Sequence, residues 1–264
     1  MPIDWKKDSQ SFDGVAELYE TYRPSYPVEL INDVVTLSGI QPDGEILEVG
    51  SGTGKATRLF AQRGFSILCL EPGQNLIDIA KAQLNDHPQV RFERSRFEEW
   101  EARQRKFDLL ISAQAFHWVP LEVRFVKAAS VLKPQGHIAL FWNMYPGVDG
   151  PIRHDLDEIY RQHAAELAKE HFPPEQLIQE RTASLKAEKQ FENVIVRTYR
   201  WAVQYKTEAY LGLLNTYSDH LRLPEQRRRA LFGAIAELLK QHDGLIEKPY
   251  LAVLYMARRK SGDA

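Results

Sequence analysis

The sequence predicts an α/β fold with a mostly parallel sheet and helices on both of its faces. Three observations support this prediction. Short apolar runs typical of buried strands alternate along the chain with segments whose apolar residues have helical spacing. The first of these runs ends in alternating glycines and continues directly into a helix. The chain, at 264 residues, is long enough to bury the substantial core that such a sheet requires.

Each element has its own pattern. The segment around YRPSYP is rich in aromatic residues and predicts a helix packed on the core, ahead of a proline-punctuated break. Apolar or β-branched runs predict strands, in chain order, at 46–49, 66–70, 90–92, 107–111, 137–143, 191–204 and 250–256. Helical spacing predicts helices at 28–37, 56–63, 76–84, 121–132, 151–185, 207–217 and 224–241. Residues 133–136 read as a turn, and Pro224 suits the first turn of the last helix.

The loop after the first strand is the first candidate binding site. Gly50, Gly52 and Gly54 alternate in the sequence GSGTG, just before the helix. Glycine reaches positive φ without strain and leaves the backbone bare against a ligand. The free N–H groups at the start of the helix point toward the same ligand. The pattern therefore indicates a nucleotide-type site.

Two common nucleotide loops do not match this spacing. A P-loop needs a glycine five residues before the Gly-Lys pair and a Ser or Thr after the lysine, but Val49 and Ala56 occupy those positions. A dinucleotide fingerprint needs a third glycine where this chain has Lys55 or Thr57. ATP is therefore excluded as the ligand of this loop, and NAD is disfavoured.

An acidic residue at the end of the second strand supports a nucleoside ligand. Glu71 lies 21 residues after Gly50. In doubly wound folds, an acid about 20 residues past the glycines accepts hydrogen bonds from ribose hydroxyls. A carboxylate suits this task because it only accepts, whereas a vicinal diol can donate twice.

The ends of the third and fourth strands supply further candidates. Ser95 and Phe97 follow the third strand, and Gln114 and His117 follow the fourth in a mainly apolar segment. Ligands bind outside the carboxyl ends of parallel strands, so these residues face the predicted site. A buried, hydrogen-bonded structural histidine remains an equal alternative for His117.

Several segments together resemble the class I S-adenosylmethionine (SAM) dependent methyltransferases. These segments are ILEVGSGTG, LEPG, RFEEW, FDLLISAQAFHWV, LKPQGHIALFWN and LGLLNTYSDH. The chain is most similar to a small-molecule branch that begins with a YRPSYP-type segment, some members of which methylate carboxylic acids such as trans-aconitate. The resemblance implies a Rossmann-like seven-stranded sheet whose last strand is antiparallel and lies between the fifth and sixth. It also implies a helical cap.

The resemblance assigns roles to individual residues. SAM would be the cofactor, and His117 would lie near the methyl group as the one candidate general base. The implied cofactor-binding residues are Glu48, Gly50, Ser51, Gly52, Gly54, Glu71, Ser95, Phe97, Gln114 and Arg23. The implied substrate-binding residues are Trp118, Tyr19, Tyr22 and Tyr217. The family often has an Asp near the adenine where this chain has Ser95.

We expect one structural domain overall with three parts. Residues 1–145 form the cap and the SAM-binding core, residues 146–190 a helical insertion, and residues 191–264 the last strands with a helical lid at 206–248. The expected function is methyl transfer to a small molecule, with a carboxylate or hydroxyl oxygen favoured over nitrogen or carbon as acceptor. An RNA or tRNA methyltransferase and a non-catalytic SAM-binding regulator are the alternatives.

Composition limits the partners. The formal net charge of −2 gives no general attraction to nucleic acid, and no apolar run reaches membrane-spanning length. The N-terminus is polar and has no signal-like segment, so we expect a cytoplasmic protein. We expect it to be a monomer or a homodimer. The single cysteine, Cys69, lies in an apolar run and is expected to be a buried, inert thiol. We expect no bound metal.

Overall fold

The computed structural model describes residues 13–148, 150–168 and 174–261 of the chain. The strands are β1 Glu45–Val49, β2 Ser66–Leu70, β3 Val90–Glu93, β4 Phe107–Ala113, β5 Leu132–Met144, β6 Phe191–Lys206 and β7 Leu245–Arg259. The helices are α1 Ala16–Tyr22, α2 Val28–Ser38, α3 Lys55–Ala61, α4 Gln74–Gln83, α5 Leu121–Val131, α6 Pro151–His163, α7 Pro174–Ala187, α8 Thr207–Leu214, α9 Ser218–Leu221 and α10 Glu225–Lys240. Single 3₁₀ turns occur at Asp13–Val15, Phe116–Trp118 and Ala165–Leu167.

The strands form one seven-stranded sheet in the order β3-β2-β1-β4-β5-β7-β6. β1 pairs in parallel with both β2 and β4, with Ile46 opposite Ile67 on one side and Leu109 on the other. The mostly parallel sheet with a final antiparallel strand, predicted from the sequence, is confirmed. Because β1, β2 and β4 run in the same direction, their carboxyl ends lie at one edge, where the predicted site residues begin.

The central strands are apolar because both of their faces are covered. In β1 and β2 every residue after the first is buried, and Ile46, Leu47, Leu109 and Leu110 have no exposed surface. A parallel strand with helices on both sides buries the side chains that point to either face, so its sequence is a continuous apolar run. That is why these strands could be located from the sequence.

The structure refines three local predictions. The turn predicted at 133–136 lies inside β5 as an irregularity of the pairing, since Phe107 pairs with Leu132 while Leu109 already pairs with His137. The helical segment predicted at 151–185 consists of α6, which ends at His163, and α7, which begins at Pro174. Pro224 is the residue immediately before α10 rather than part of its first turn, with φ −52° and ψ 137°.

The chain groups into two compact units. The first comprises residues 1–24, 145–174 and 200–251, and the second comprises residues 25–144, 175–199 and 252–264. Helices α6, α8 and α10 supply most of the buried apolar cluster of the first unit, including Leu213, Leu231, Ile235 and Leu239. The division into cap, core, insertion and lid proposed from the sequence remains a prediction.

Candidate active site

The glycine loop between β1 and α3 has the geometry that its sequence predicts. Gly50, Gly52 and Gly54 have φ values of +72°, +56° and +83°, which residues with a side chain rarely adopt. A Cβ on Gly50 would lie 2.4 Å from the Cβ of Ala115, so the loops after β1 and β4 touch there. A Cβ on Gly52 would meet nothing within 4 Å. The middle of the loop is therefore open for a ligand, whereas its first residue is packed.

Glu71 connects this loop to the end of β2. Its Oε2 accepts a hydrogen bond from the Gly52 N–H and its Oε1 from the Gly73 N–H, both at 2.9 Å. Only 6% of the residue is exposed. Each carboxylate oxygen has a second lone pair. Glu71 can therefore shape the loop and still accept hydrogen bonds from a ligand's hydroxyl groups.

Buried polar atoms that lack hydrogen-bond partners lie in the loop and at the end of β1. Glu48 is completely buried, and its Oε2 accepts a hydrogen bond of 2.7 Å from the Thr57 hydroxyl. Its Oε1, the Ser51 hydroxyl and the Thr53 hydroxyl have no hydrogen-bond partner among the described residues. Burial raises the pKa of Glu48 to about 8, the Thr57 hydrogen bond opposes this rise, and the charge of Glu71 adds to it. Unpaired buried polar groups are costly, so these atoms suit a polar ligand.

Ser95 and Phe97 follow β3, as predicted, but they differ in environment. The Ser95 hydroxyl donates to the main-chain oxygen of Arg96 at 3.0 Å. Phe97 is 3% exposed, and its ring centroid lies 6.4 Å from that of Phe116. Phe97 is therefore a core residue, and its predicted contact with adenine remains a prediction.

Gln114 joins the ends of β4 and β5. It has a φ of +60°, which is strained for a residue with a side chain. Its N–H donates to the Phe141 oxygen at 3.0 Å, and its Nε2 donates to the Asn143 oxygen at 3.2 Å. Asn143, which is 4% exposed, donates from Nδ2 to the main-chain oxygen of Ser25 at 2.9 Å. Asn143 was missed from the sequence, although its position at the end of the apolar run ALFWN was a usable signal.

His117 lies among aromatic rings. Its centroid is 4.6 Å from that of Trp118 and 6.4 Å from that of Trp142. Its Nδ1 accepts a hydrogen bond of 3.3 Å from the indole Nε1 of Trp142. The pKa of His117 is lowered to about 4, first by desolvation of the ring and then by the positive charges of Arg181 and Arg124. More than a third of the residue's surface is nevertheless exposed.

The other predicted contacts, Arg23, Tyr19, Tyr22 and Tyr217, belong to the first unit. Arg23 Nε donates to the Thr216 hydroxyl at 2.7 Å, its Nη2 to the Thr216 main-chain oxygen at 2.8 Å, and its Nη1 to the Tyr145 hydroxyl at 3.1 Å. Its guanidinium lies 4.3 Å above the Tyr217 ring and 5.3 Å from the Tyr19 ring. Tyr22 packs on Gly212, where an added Cβ would be 2.3 Å from the ring.

Lys248 is a second cation in the same unit, and the sequence did not single it out. It is 9% exposed, and its Nζ lies 4.8 Å from the Tyr145 ring centroid and 5.8 Å from that of Tyr250. Burial lowers its pKa from 10.5 to about 8, and the charge of Arg23 contributes. No ion pair within residues 13–148, 150–168 and 174–261 includes Lys248 or Arg23. The first unit thus holds one buried and one partly buried cation whose charges no described carboxylate neutralises.

The structure therefore gathers the predicted residues in two groups. The second unit contains Glu48, Gly50, Ser51, Gly52, Gly54, Glu71, Ser95, Phe97, Gln114, His117 and Trp118. In the described part of the chain, no group of three His, Cys, Asp or Glu residues could hold a metal ion. None of the described helices combines the length and the apolar character needed to cross a membrane.

Comparison with known proteins identifies the class of this site. A family profile described as "Methyltransferase domain" matches residues 46–136, which contain the glycine loop, Glu71, Gln114 and His117. An uncharacterized methyltransferase of Mycobacterium bovis is 27% identical over 248 residues, which cover 94% of this chain and 93% of the relative. A malonyl-[acyl-carrier protein] O-methyltransferase of Ilyobacter polytropus is 29% identical over 142 residues, which cover 52% of each chain.

A solved structure agrees with these sequence matches. The structure of a protein named as a type II methyltransferase, from Anaeromyxobacter dehalogenans, is 25% identical to this chain and has a TM-score of 0.62. The match covers 90% of this chain and 97% of that one. The open glycine loop, the unpaired polar atoms beside it and Glu71 just after β2 fit the hydroxyl-rich and charged groups of SAM. Residues 46–136 match a methyltransferase domain, and the relatives and the solved structure all point to a class I SAM-dependent methyltransferase.

Proposed function

We propose that this enzyme methylates a carboxylate oxygen of a small-molecule acid. The observation that carries the proposal is the pair of cations, the partly buried Arg23 and the buried Lys248, for which no described residue supplies a neutralising carboxylate.

For the cofactor part, the residues of the second unit would hold SAM. The open space beside Gly52 would accommodate the ligand. Glu71 would accept hydrogen bonds from its ribose hydroxyls, and Glu48 and Thr53 would supply further polar contacts. SAM, when bound, supplies an electrophilic methyl group on a positively charged sulfur. The protein's contribution is alignment and exclusion of water, and effective molarities of roughly 10⁵ M or more are attainable in this way.

For the acceptor part, Arg23 and Lys248 would bind an anionic group. Arg23 has five N–H donors, of which three engage Thr216 and Tyr145, so two remain for a ligand. Lys248 makes no hydrogen bond within the described residues and contacts tyrosine ring faces instead. Burying such charges is expensive unless they are paired. A carboxylate of the acceptor would pair with both cations.

For proton transfer, a carboxylate acceptor makes a general base unnecessary, because it is already ionised at neutral pH. This agrees with the state of His117. The lone pair of Nδ1 is engaged by Trp142, which leaves the proton of the neutral ring on Nε2. A pKa of about 4 also makes the imidazole a weak base. The sequence-based assignment of His117 as a general base remains a prediction, and it belongs to the alternative in which a hydroxyl is the acceptor.

One relative gives independent support for an oxygen acceptor. The Ilyobacter polytropus protein is named as an O-methyltransferase, and it matches about half of this chain. RNA is disfavoured as an acceptor because the chain has a formal net charge of −2 and no general attraction to phosphate.

A matched substrate panel tests the proposal. Release of S-adenosylhomocysteine would be measured with a set of small carboxylic acids and with their primary amides, which keep the shape and lose the charge. We expect turnover of acids only. Lys248→Met should raise KM for the acid about 10-fold or more and leave the Kd for SAM unchanged. Lys206→Met is the control, because Lys206 is exposed and lies in the same unit. Equal turnover of amides, or an unchanged KM in the Lys248 variant, would overturn the proposal.

A further inference from the structure

The second unit contains a positively charged pocket of its own. It is a cavity of about 50 Å³. Its lining includes Arg124 of α5, Arg181 and Ser184 of α7, Trp142 of β5 and Tyr255 of β7, with His117 on one side. All of these residues belong to the second unit. None of the functional assignments above uses the two arginines.

The guanidinium groups are fixed in place by aromatic rings. Arg181 lies 4.1 Å above the ring of Trp142, and Arg124 lies 5.0 Å from the ring of Phe125. Such contacts hold a guanidinium plane without consuming its N–H donors. The donors therefore remain available to a ligand in the cavity.

Some of these donors are buried without a partner. Arg124 Nε and Arg181 Nη1 have no hydrogen-bond acceptor within bonding geometry among the residues that the structure describes, although the Tyr255 hydroxyl also acts on the Arg181 side chain. Neither arginine takes part in an ion pair within that part of the chain, although the charge of Glu188 acts on Arg124 from a distance. Burial lowers the pKa of both arginines, and the charge of Arg124 further lowers that of Arg181. Two like charges thus share one small cavity.

We propose that this cavity is an oxyanion site in which Arg124 and Arg181 together bind a phosphate or carboxylate group. The volume of about 50 Å³ has room for roughly three to five water-sized atoms, which is the size of one such group. Guanidinium groups match these oxyanions through paired, charge-assisted hydrogen bonds. An anion there relieves the repulsion between the arginines and satisfies their unpaired N–H groups.

The site has a consequence for the loop after β4. His117 lines the same cavity, and the charges of Arg181 and Arg124 contribute to its lowered pKa. The titratable or charged groups that act there are Arg124, Arg181, Tyr255 and Glu188. A bound anion opposes the arginine charges, so it raises the pKa of His117. Ligand binding and the ionisation of this loop are therefore coupled.

Direct binding to the full chain tests the site. Inorganic phosphate and acetate would each be titrated at constant ionic strength, followed by calorimetry and by thermal unfolding. We expect saturable binding and stabilisation of the wild type, with Kd raised ~10-fold by Arg181→Gln and by Arg124→Gln. Arg91→Gln is the control, because Arg91 is exposed on β3 and its substitution also removes one positive charge. Binding of phosphate alone would identify a phosphoryl ligand, and binding of acetate as well would identify a carboxylate.

A second measurement does not depend on the folding of any variant. The pKa of His117 would be followed by NMR in the wild type, with and without saturating phosphate. A rise supports the site. Absence of saturable binding by both anions, equal binding by the arginine variants, or an unchanged pKa of His117 with phosphate bound would each overturn it. Methyl transfer is not the readout in any of these experiments, so their failure is separable from failure of the proposed function.

Discussion

Replacing Lys248 by methionine should make the enzyme more stable and less able to bind its acceptor. Methionine has a similar length and no charge, so it keeps the packing against Tyr145 and Tyr250. Lys248 is 9% exposed, and its pKa falls from 10.5 to about 8 because of burial and the charge of Arg23. A residue that costs stability and has no anionic partner among the described residues is expected to serve a ligand.

The magnitude follows from that pKa. A fall from 10.5 to about 8 corresponds to roughly 3 kcal/mol, since one pKa unit is about 1.4 kcal/mol. Contacts with the tyrosine rings favour the charged amine by ~1 kcal/mol. Lys248→Met should therefore raise the free energy of unfolding by about 2 kcal/mol at pH 7.

The same pKa fixes the direction of the pH dependence. Between pH 8 and 10.5 the unfolded state keeps the Lys248 proton that the folded state has lost. Stability rises with pH wherever the unfolded state binds more protons, so wild-type stability should gain from Lys248 in this window. The methionine variant should lack this gain. Urea denaturation at pH 7 and pH 9.5, followed by circular dichroism, measures both effects, with Lys206→Met as the control for an exposed lysine. A variant less stable than the wild type at pH 7, with the same pH slope, would refute the reasoning.

Three further predictions concern other parts of the molecule. Glu71→Gln should raise the Kd for SAM by ~10- to 100-fold, measured by calorimetry, because one carboxylate oxygen that accepts a loop N–H becomes a donor; unchanged affinity would contradict the assigned ribose contact. Gly212→Ala should lower the free energy of unfolding by about 1–3 kcal/mol in a urea titration, because the new Cβ would lie 2.3 Å from the Tyr22 ring. Gly233→Ala is the control and should leave this free energy unchanged, because its Cβ would meet no atom within 4 Å. The pH profile of kcat should show no step near 6.5, because the pKa of His117 is about 4, and a step removed by His117→Gln would instead support a general base.

The cofactor half of the site could be predicted because it depends on local backbone geometry. Gly50, Gly52 and Gly54 adopt positive φ, and the choice of glycine at these positions indicates that conformation. Glu71 could be placed because the length of a β-α-β unit fixes where the second strand ends. The strands β1, β2 and β4 were located because burial on both faces makes them continuously apolar.

The acceptor half could not be predicted in the same way, since it depends on contacts between distant segments. Lys248 reads as an ordinary surface charge between Glu247 and Pro249, and only the fold surrounds it with Tyr145 and Tyr250. The hydrogen bond from Trp142 that engages His117 joins residues 25 positions apart. No local sequence pattern predicts either of these contacts.

The most direct test of the account is the chemical identity of the product. The enzyme would be incubated with SAM carrying a deuterated methyl group and with a small-molecule extract, and the labelled product would be characterised by mass spectrometry before and after mild alkali. The account predicts a labelled methyl ester that alkali hydrolyses back to an acid, with Lys248→Met greatly reducing its formation. A label on nitrogen, carbon or an ether oxygen, stable to alkali and unaffected by that substitution, would contradict it.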